Sequence, residues 1–443
     1  MSGEKPREIA AQILGRRGGE KFTEDLLDQA LALADLPPVD RRLCQELVYG
    51  VVRWQTTLDW LIDRKTAHRT QKAPLKDLLR LGLYQIFWLE RIPDHAAVHV
   101  TVELAKQRGF GPQAGFVNAL LRGYLREFEA TRALLNELKT SQPHLGWSHP
   151  EWLVERWRTR WGNDRTSELL AWNNTPPKTF ARVNTLKIEP ARLLLIWREE
   201  NVEYDFVHHD WFAENLVFEL KSFPALHLLP SFQQGFFYIQ DPSTLLAVSE
   251  LDPSPGQTVL DLCAAPGGKL SYIAQVMGND GGIVAHDSDP NRIKLIEENC
   301  QRLGVTCVKT LSGSAAISPA SARRPEHHAT ALPGQKFDRI LVDAPCSNTG
   351  VMRRRVDLRW RLSVHEIDRI RSIQLELLRS AAPLLGPGGI LLYSTCSLEP
   401  EENRQVILTF MQDCPGFTLE AERELLPFQD RVDGAYIAKL RRT

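Results

Sequence analysis

Apolar positions recur every three or four residues from Arg7 to about Glu129, as in Leu43, Leu47 and Val51 and again in Leu75, Leu78, Leu79, Leu83, Ile86 and Phe87. That period predicts an all-α region. Pro37-Pro38, Pro93 and Gly109 to Gly111 break it into separate helices, and Phe116, Val117, Leu120, Leu121, Tyr124 and Leu125 form its last apolar face. From residue 145 the pattern changes. Trp152, Trp157 and Trp161 lie on a helix starting at Pro150, a spacing that reads as a packed core face. Phe180 to Val183 reads as a strand, Glu189 to Glu200 as a helix and Leu216 to Leu220 as a strand, a small α+β module. Beyond Gly235 strands and helices alternate: helix 242–250, strand Thr258 to Leu262, a helix entered at Lys269, strand Ile283 to His286, helix Asn291 to Leu303 and strand Cys307 to Leu311. Strand Arg339 to Val342, helix Asp368 to Leu385 and strand Ile390 to Tyr393 follow. This alternation predicts a mostly parallel sheet covered on both faces. The expected organisation is therefore a helical domain over 1–140, an α+β module over 145–235 and an α/β domain over 236–443.

Composition adds bounds. The chain has 443 residues, 43% of them hydrophobic and 25% charged, and a net charge of −1, which describes a soluble globular protein of more than one domain. Any nucleic-acid surface must then be local; Arg64, Lys65, Arg69, Lys72, Lys76 and Arg80 form one basic cluster. Seven scattered cysteines without paired ligand spacing imply a reducing compartment and no metal site. The polar N-terminus and the lack of a bilayer-length apolar run lead to the expectation of a cytoplasmic protein with no membrane partner. Ser318 to Gln335, with His327 and His328, reads as an exposed, solvated insertion.

Ligands of an open parallel sheet sit at the carboxyl ends of its strands, and here those ends carry polar residues. The first leads into Asp261-Leu-Cys-Ala-Ala-Pro-Gly-Gly-Lys269, a turn whose small side chains and helix-opening N–H groups suit a ligand approaching backbone. Asp287 ends the second strand, about 20 residues past the turn, where an acid is placed for a ribose diol; Asp289 is the better helix cap. The fourth ends in Asp343-Ala-Pro-Cys346-Ser347 and the fifth in Ser394-Thr-Cys396-Ser397. Two thiols beside one pocket offer a nucleophile and an assistant. Arg182, Asn184 and Lys187 at a strand end, and Arg353, Arg354 and Arg355 after the Cys346 motif, are candidate phosphate contacts.

These motifs, with Thr349-Gly350-Val351, Pro400-Glu-Glu-Asn403, Gln240-Asp-Pro-Ser243, Arg182-Val-Asn-Thr-Leu-Lys187 and Asp433-Gly-Ala-Tyr436, closely resemble those of S-adenosylmethionine-dependent RNA cytosine-5 methyltransferases. The N-terminal region, including Asp40-Arg41, Val48-Tyr-Gly-Val51, Ile92-Pro93 and Phe116-Val-Asn-Ala-Leu-Leu-Arg122, is similar to NusB-type RNA-binding domains. That fusion resembles the RsmB (Sun/Fmu) family. The resemblance implies a multidomain protein, with an all-α NusB-like domain, a small α+β module and a Rossmann-like methyltransferase domain. It implies that Cys396 is the nucleophile, that Cys346 assists loss of the carbon-5 proton or product release, and that Asp343 binds the cytosine edge. Cys263, Ala264, Ala265, Pro266, Gly267, Gly268, Lys269, Asp287, Ser312 and Asp343 would hold S-adenosylmethionine, Cys263 in a structural role. Ser312 stands where the family often has an acid. The implied partner is small-subunit ribosomal RNA, unassembled or partly assembled, bound by a monomer. A transfer RNA substrate and a non-catalytic assembly factor stay open as alternatives; the intact pair Cys346 and Cys396 with Asp343 speaks against the second.

Overall fold

The computed structural model describes residues 5–19, 21–313 and 335–443; almost all of the expected insertion, including His327 and His328, lies outside them. Contact density divides the chain into two compact units, Met1–Pro176 with Met352–Arg361, and Pro177–Val351 with Leu362–Thr443. This division cuts later than residue 140 and takes the Trp-rich helix into the first unit.

The first unit is helical, with helices that include Lys5–Gly15, Thr23–Leu33, Pro38–Arg53, Gln55–Thr66, Ala73–Trp88, Asp94–Ala105, Ala114–Arg126, Phe128–Ser141 and Glu151–Asn173. The residues that set the sequence period are its core: Leu47, Val51, Leu78, Leu79, Val117, Leu121 and Tyr124 are all buried. Gly50 lies against the Tyr84 ring, so a Cβ there has no space. Trp157 is buried, as expected of a core face, whereas Trp152 and Trp161 are half-exposed. Much of the basic cluster is ion-paired: Lys65 with Glu127, Lys76 with Asp59, and Arg80 with both Asp59 and Asp77.

The segment Met352–Arg361 corrects an expectation. Val356 joins the helical core, Trp360 Nε1 donates to Val52 O at 2.8 Å, and Asp357 accepts from Thr23 N at 2.7 Å. The Arg359 guanidinium is fully buried and donates to the carbonyls of Arg53, Ser148 and Asn173 and to Asn174 Oδ1. Arg353 is 2% exposed and lies 4.0 Å over the Trp172 ring, so it is a packing residue and not a phosphate contact. Arg354 is half-buried, and exposed Arg355 pairs with Glu24 at 3.4 Å.

The second unit holds two sheets. The small one comprises β1 (Thr179–Val183), β2 (Glu203–Phe206), β3 (Val217–Ser222) and β4 (Phe237–Ile239), all antiparallel in the order β2-β3-β1-β4. Helix Pro190–Glu199 packs on it through Leu193 and Trp197. The large one comprises β5 (Thr258–Leu262), β6 (Gly282–Asp287), β7 (Val308–Ser312), β8 (Phe337–Asp343), β9 (Leu385–Thr395), β10 (Phe417–Leu425) and β11 (Ala435–Arg442), in the order β10-β11-β9-β8-β5-β6-β7. β5 to β9 pair in parallel as expected, while β11 runs antiparallel between β9 and β10. Strand order reverses between β5 and β8, which puts a ligand crevice at their carboxyl ends.

Arg182 and Asn184 join the two sheets and are not offered to RNA. Arg182 is 1% exposed and donates to Gln240 Oε1 at 2.7 Å, Gly268 O at 3.0 Å and Ser271 Oγ at 2.8 Å; burial draws its guanidinium down to about 10. Asn184 Nδ2 donates to Gly235 O and Leu303 O, both at 2.8 Å. Lys187 is exposed, but its ammonium donates to Gln234 O at 3.0 Å and to Arg302 O at 2.7 Å, near the end of helix Pro290–Leu303. The strand-end polarity read as phosphate binding is thus the polarity of an internal seam.

Arg182→Ala leaves those acceptors buried without their donor, so it costs about 2–4 kcal/mol of stability in urea unfolding, with RNA affinity of the folded protein unchanged. Lost RNA affinity at unchanged stability would contradict this placement.

Candidate active site

The turn after β5 is shaped by backbone. Cys263 takes φ 62° and Gly267 φ 98°, the left-handed region that glycine enters without cost, and helix Gly268–Val276 starts directly after it. A Cβ on Gly268 would meet Tyr238 at 3.1 Å. Ala264 N donates to His286 O at 2.9 Å, which fastens the turn to β6. Asp287 at the end of β6 is 1% exposed; it accepts from Ala265 N at 3.3 Å and Asp289 N at 3.1 Å and pairs with Arg292 at 3.3 Å. Asp289 caps the next helix by accepting from Asn291 N at 2.8 Å. Ser312 ends β7 exposed, in register with Asp287.

Asp261, at the head of the turn, is 1% exposed, and neither carboxylate oxygen has a hydrogen-bond partner. Burial pushes its carboxyl well above the usual range, with Asp343 and Asp287 adding to the effect. A buried unpaired carboxyl group is costly unless something completes it. Together with the small-residue turn beside it, this fits a ligand carrying both amino-acid and ribose groups, as S-adenosylmethionine does. Ala264, Ala265, Pro266, Gly267, Gly268, Lys269 and Asp287 are the residues that would hold it. Cys263 is pushed up to about 12 by burial and by Asp343, Asp287 and Asp261, which suits its structural reading.

The two thiols lie on the other side of the order reversal. Lys269 Nζ contacts Asp343 Oδ2 at 2.7 Å; burial alone would lower the ammonium, but the charge of Asp343, its hydrogen bond and Cys396 keep the pKa raised. Cys346 Sγ and Cys396 Sγ are 3.3 Å apart. The Cys346 thiol is pushed well up, first by its hydrogen bond to Cys396, then by burial, with Glu402 adding to the effect, so Cys346 keeps its proton. Asn348, at φ 57°, donates to Cys346 O at 2.7 Å and accepts from Cys396 Sγ at 3.0 Å.

Beneath the thiols lies a brace that sequence reasoning did not assign. Glu402 is fully buried; its carboxylate accepts from Ser347 N at 2.8 Å, Ser397 Oγ at 2.8 Å and Gln374 Nε2 at 3.1 Å. Ser347 and Ser397 each follow a site cysteine, and their hydroxyls are 3.0 Å apart. Asn403 donates to Ser397 O at 2.8 Å and accepts from Thr395 Oγ1 at 2.7 Å. Gly350 N donates to Cys396 O at 2.9 Å, and Gly434 N to Gly350 O at 2.9 Å. A Cβ on Gly350 would lie 2.7 Å from both Cys396 O and Gly434 Cα, so only glycine permits this crossing. The signal available in the sequence was the Pro400-Glu-Glu-Asn403 motif, whose polar residues lead into the helix Arg404–Asp413 instead of lining the pocket.

Comparison with known proteins agrees with this architecture. The family model for 16S rRNA methyltransferase RsmB/F matches residues 248–441, that for the NusB family residues 4–126, and a ferredoxin-like domain of RsmF/B-like methyltransferases residues 149–219. These matches, with the reversed sheet and the paired thiols, define an RNA methyltransferase fused to an all-α domain. The probable ribosomal RNA small subunit methyltransferase B of Bacillus subtilis is 36% identical over 98% of both chains, and the ribosomal RNA small subunit methyltransferase B of Klebsiella pneumoniae is 34% identical over 98% of this chain and 97% of its own. The solved structure of PH0851 matches 98% of both chains at 27% identity and a TM-score of 0.76. The chain belongs to the ribosomal RNA small subunit methyltransferase B family.

Glu402→Ala removes the brace and lowers the rate of methyl transfer at saturating cofactor about 100-fold, the scale of a displacement of roughly 1 Å. Glu402→Gln retains most activity, because its amide oxygen can keep Ser347 N and Gln374 while its nitrogen donates to Ser397 Oγ. Full activity of the alanine variant would contradict the role.

Proposed function

We propose that this protein methylates carbon 5 of a cytosine in small-subunit ribosomal RNA, through a covalent bond between Cys396 and the base. The observation that carries the proposal is the thiol pair 3.3 Å apart at the ends of adjacent strands, beside the Lys269–Asp343 ion pair. One thiol alone would suit many chemistries; two with opposite proton demands suit this one.

Carbon 5 of cytosine is a poor nucleophile. Addition of the Cys396 sulfur to carbon 6, its proton passing to water, breaks the 5,6 double bond and makes carbon 5 electron-rich. Asp343, held by Lys269, hydrogen-bonds the amidine edge of the base and stabilises the charge that develops there. S-adenosylmethionine, when bound, supplies an electrophilic methyl group on a sulfonium. Once carbon 5 carries the methyl group, its proton passes to Cys346 as that thiol hands its own proton to the departing sulfur; the electrons of the C–H bond re-form the double bond and expel Cys396. Cys346, which keeps its proton in the resting state, lies next to the leaving sulfur and assists this release. The target base must be unstacked to enter such a pocket.

The names of the full-length relatives favour ribosomal over transfer RNA. Arg354 and Arg355 remain candidate phosphate contacts, acting on unassembled or partly assembled RNA, with the protein as a monomer. Ser312, exposed at the end of β7, is the proposed adenine-side contact.

Cys396→Ala abolishes methyl incorporation into unmodified ribosomal RNA, and Cys346→Ala accumulates a protein–RNA adduct that survives a denaturing gel; normal turnover by Cys396→Ala would overturn the mechanism. Ser312→Asp tightens S-adenosylmethionine binding about fivefold by calorimetric titration, the worth of one added hydrogen bond, and no gain would remove Ser312 from the cofactor site.

A further inference from the structure

Asn348 occupies a position with a chemical consequence beyond the two cysteines. The Cys346 carbonyl can only accept a hydrogen bond, so the carboxamide group must turn its nitrogen toward it, and the 2.7 Å contact fixes this orientation. The amide oxygen then faces Cys396 Sγ at 3.0 Å. An amide oxygen opposite a sulfur is attractive only while that sulfur carries its proton; facing a thiolate, two electron-rich atoms would repel. With Cys346 Sγ at 3.3 Å on the other side, the three groups form a directed relay in which Cys346 donates to Cys396 and Cys396 donates to Asn348. The charged groups facing the pair are Lys269, with Asp343, from the crevice and Glu402 from beneath.

We propose that Asn348 is a positioning residue that holds Cys396 as an oriented thiol until RNA enters and breaks this hydrogen bond. The idea rests on the reading of Cys396 as the nucleophile, and it adds control over when that nucleophile is released. Asn348 suits the task in its backbone as well. Its φ of 57° lies in the left-handed region, where asparagine is tolerated and glycine is unstrained. Asn348→Gly therefore deletes the carboxamide while keeping the loop. Asn348→Asp keeps an acceptor opposite Cys396 and adds negative charge, which disfavours loss of the thiol proton further.

The test is the alkylation rate of Cys396 by iodoacetamide in the full-length protein at neutral pH, without RNA or cofactor, located by peptide mass spectrometry. In this reaction the sulfur forms a bond to the reagent carbon, iodide leaves, and the thiol proton passes to buffer. Asn348→Gly is expected to react about fivefold faster than the parent protein, the worth of one hydrogen bond, and Asn348→Asp more slowly. A role in loop structure alone would move both variants in the same direction, and that result, or no change in either, overturns the proposal. Thermal melting of each variant confirms that the loop survives. Because the readout needs no methyl transfer, its failure is separable from failure of the cytosine mechanism.

Discussion

The thiol pair rests on one buried carboxylate. Glu402 is fully buried, a costly state for a charge unless donors satisfy it, and it draws them from both cysteine loops and from Gln374 on helix Val364–Ala381. Its own burial raises its pKa, against the pull of those hydrogen bonds. Its carboxylate links Ser347 to Ser397, and the Asn348 carboxamide links Cys346 to Cys396. The Gly350 and Gly434 crossing completes the platform from the C-terminal side, with backbone so close that a methyl group has no place. The thiol pair at 3.3 Å is held by these constraints together with the hydrogen bond between the sulfurs.

The same economy governs charge elsewhere. Arg182, Arg353 and Arg359 are among the largest fully buried side chains, and each is spent on holding elements together. Arg182 joins the small sheet to the helix after the glycine turn, and Arg359 gathers main-chain carbonyls of the helical unit. Arginine suits this use because its fork supplies five donors in fixed geometry and is more weakly hydrated than an ammonium. The residues after Val351 are counted with the helical unit although the sequence around them belongs to the methyltransferase region.

Legibility in the sequence followed periodicity. Strands β5 to β9 and the helical core were readable because buried strands are continuous apolar runs and amphipathic helices repeat every three or four residues. β10 and β11 were missed: Phe417–Leu425 is mostly part-exposed and rich in glutamate, so its pattern lacks the apolar signature of a central strand. The site cysteines, Asp343 and the glycine turn were legible as motifs at strand ends. Arg182, Asn184 and Arg353 were misread because a local charge pattern carries no information about burial, which is decided by partners distant in sequence: Gln240 and Ser271 for Arg182, and Trp172 for Arg353. Asn348 lies between two recognised motifs and Glu402 inside one, yet the contacts they make form only when two loops about 50 residues apart meet, a long-range pairing that local sequence does not encode.

The central claim is that the methyl group replaces the hydrogen on carbon 5 of cytosine, and the most direct measurement follows that hydrogen. Small-subunit ribosomal RNA transcribed with tritium at carbon 5 of its cytosines, incubated with the protein and S-adenosylmethionine, is predicted to release tritium to water in equal amount to the methyl groups incorporated. Methyl incorporation without tritium release would mean that another atom is modified, and would contradict the account.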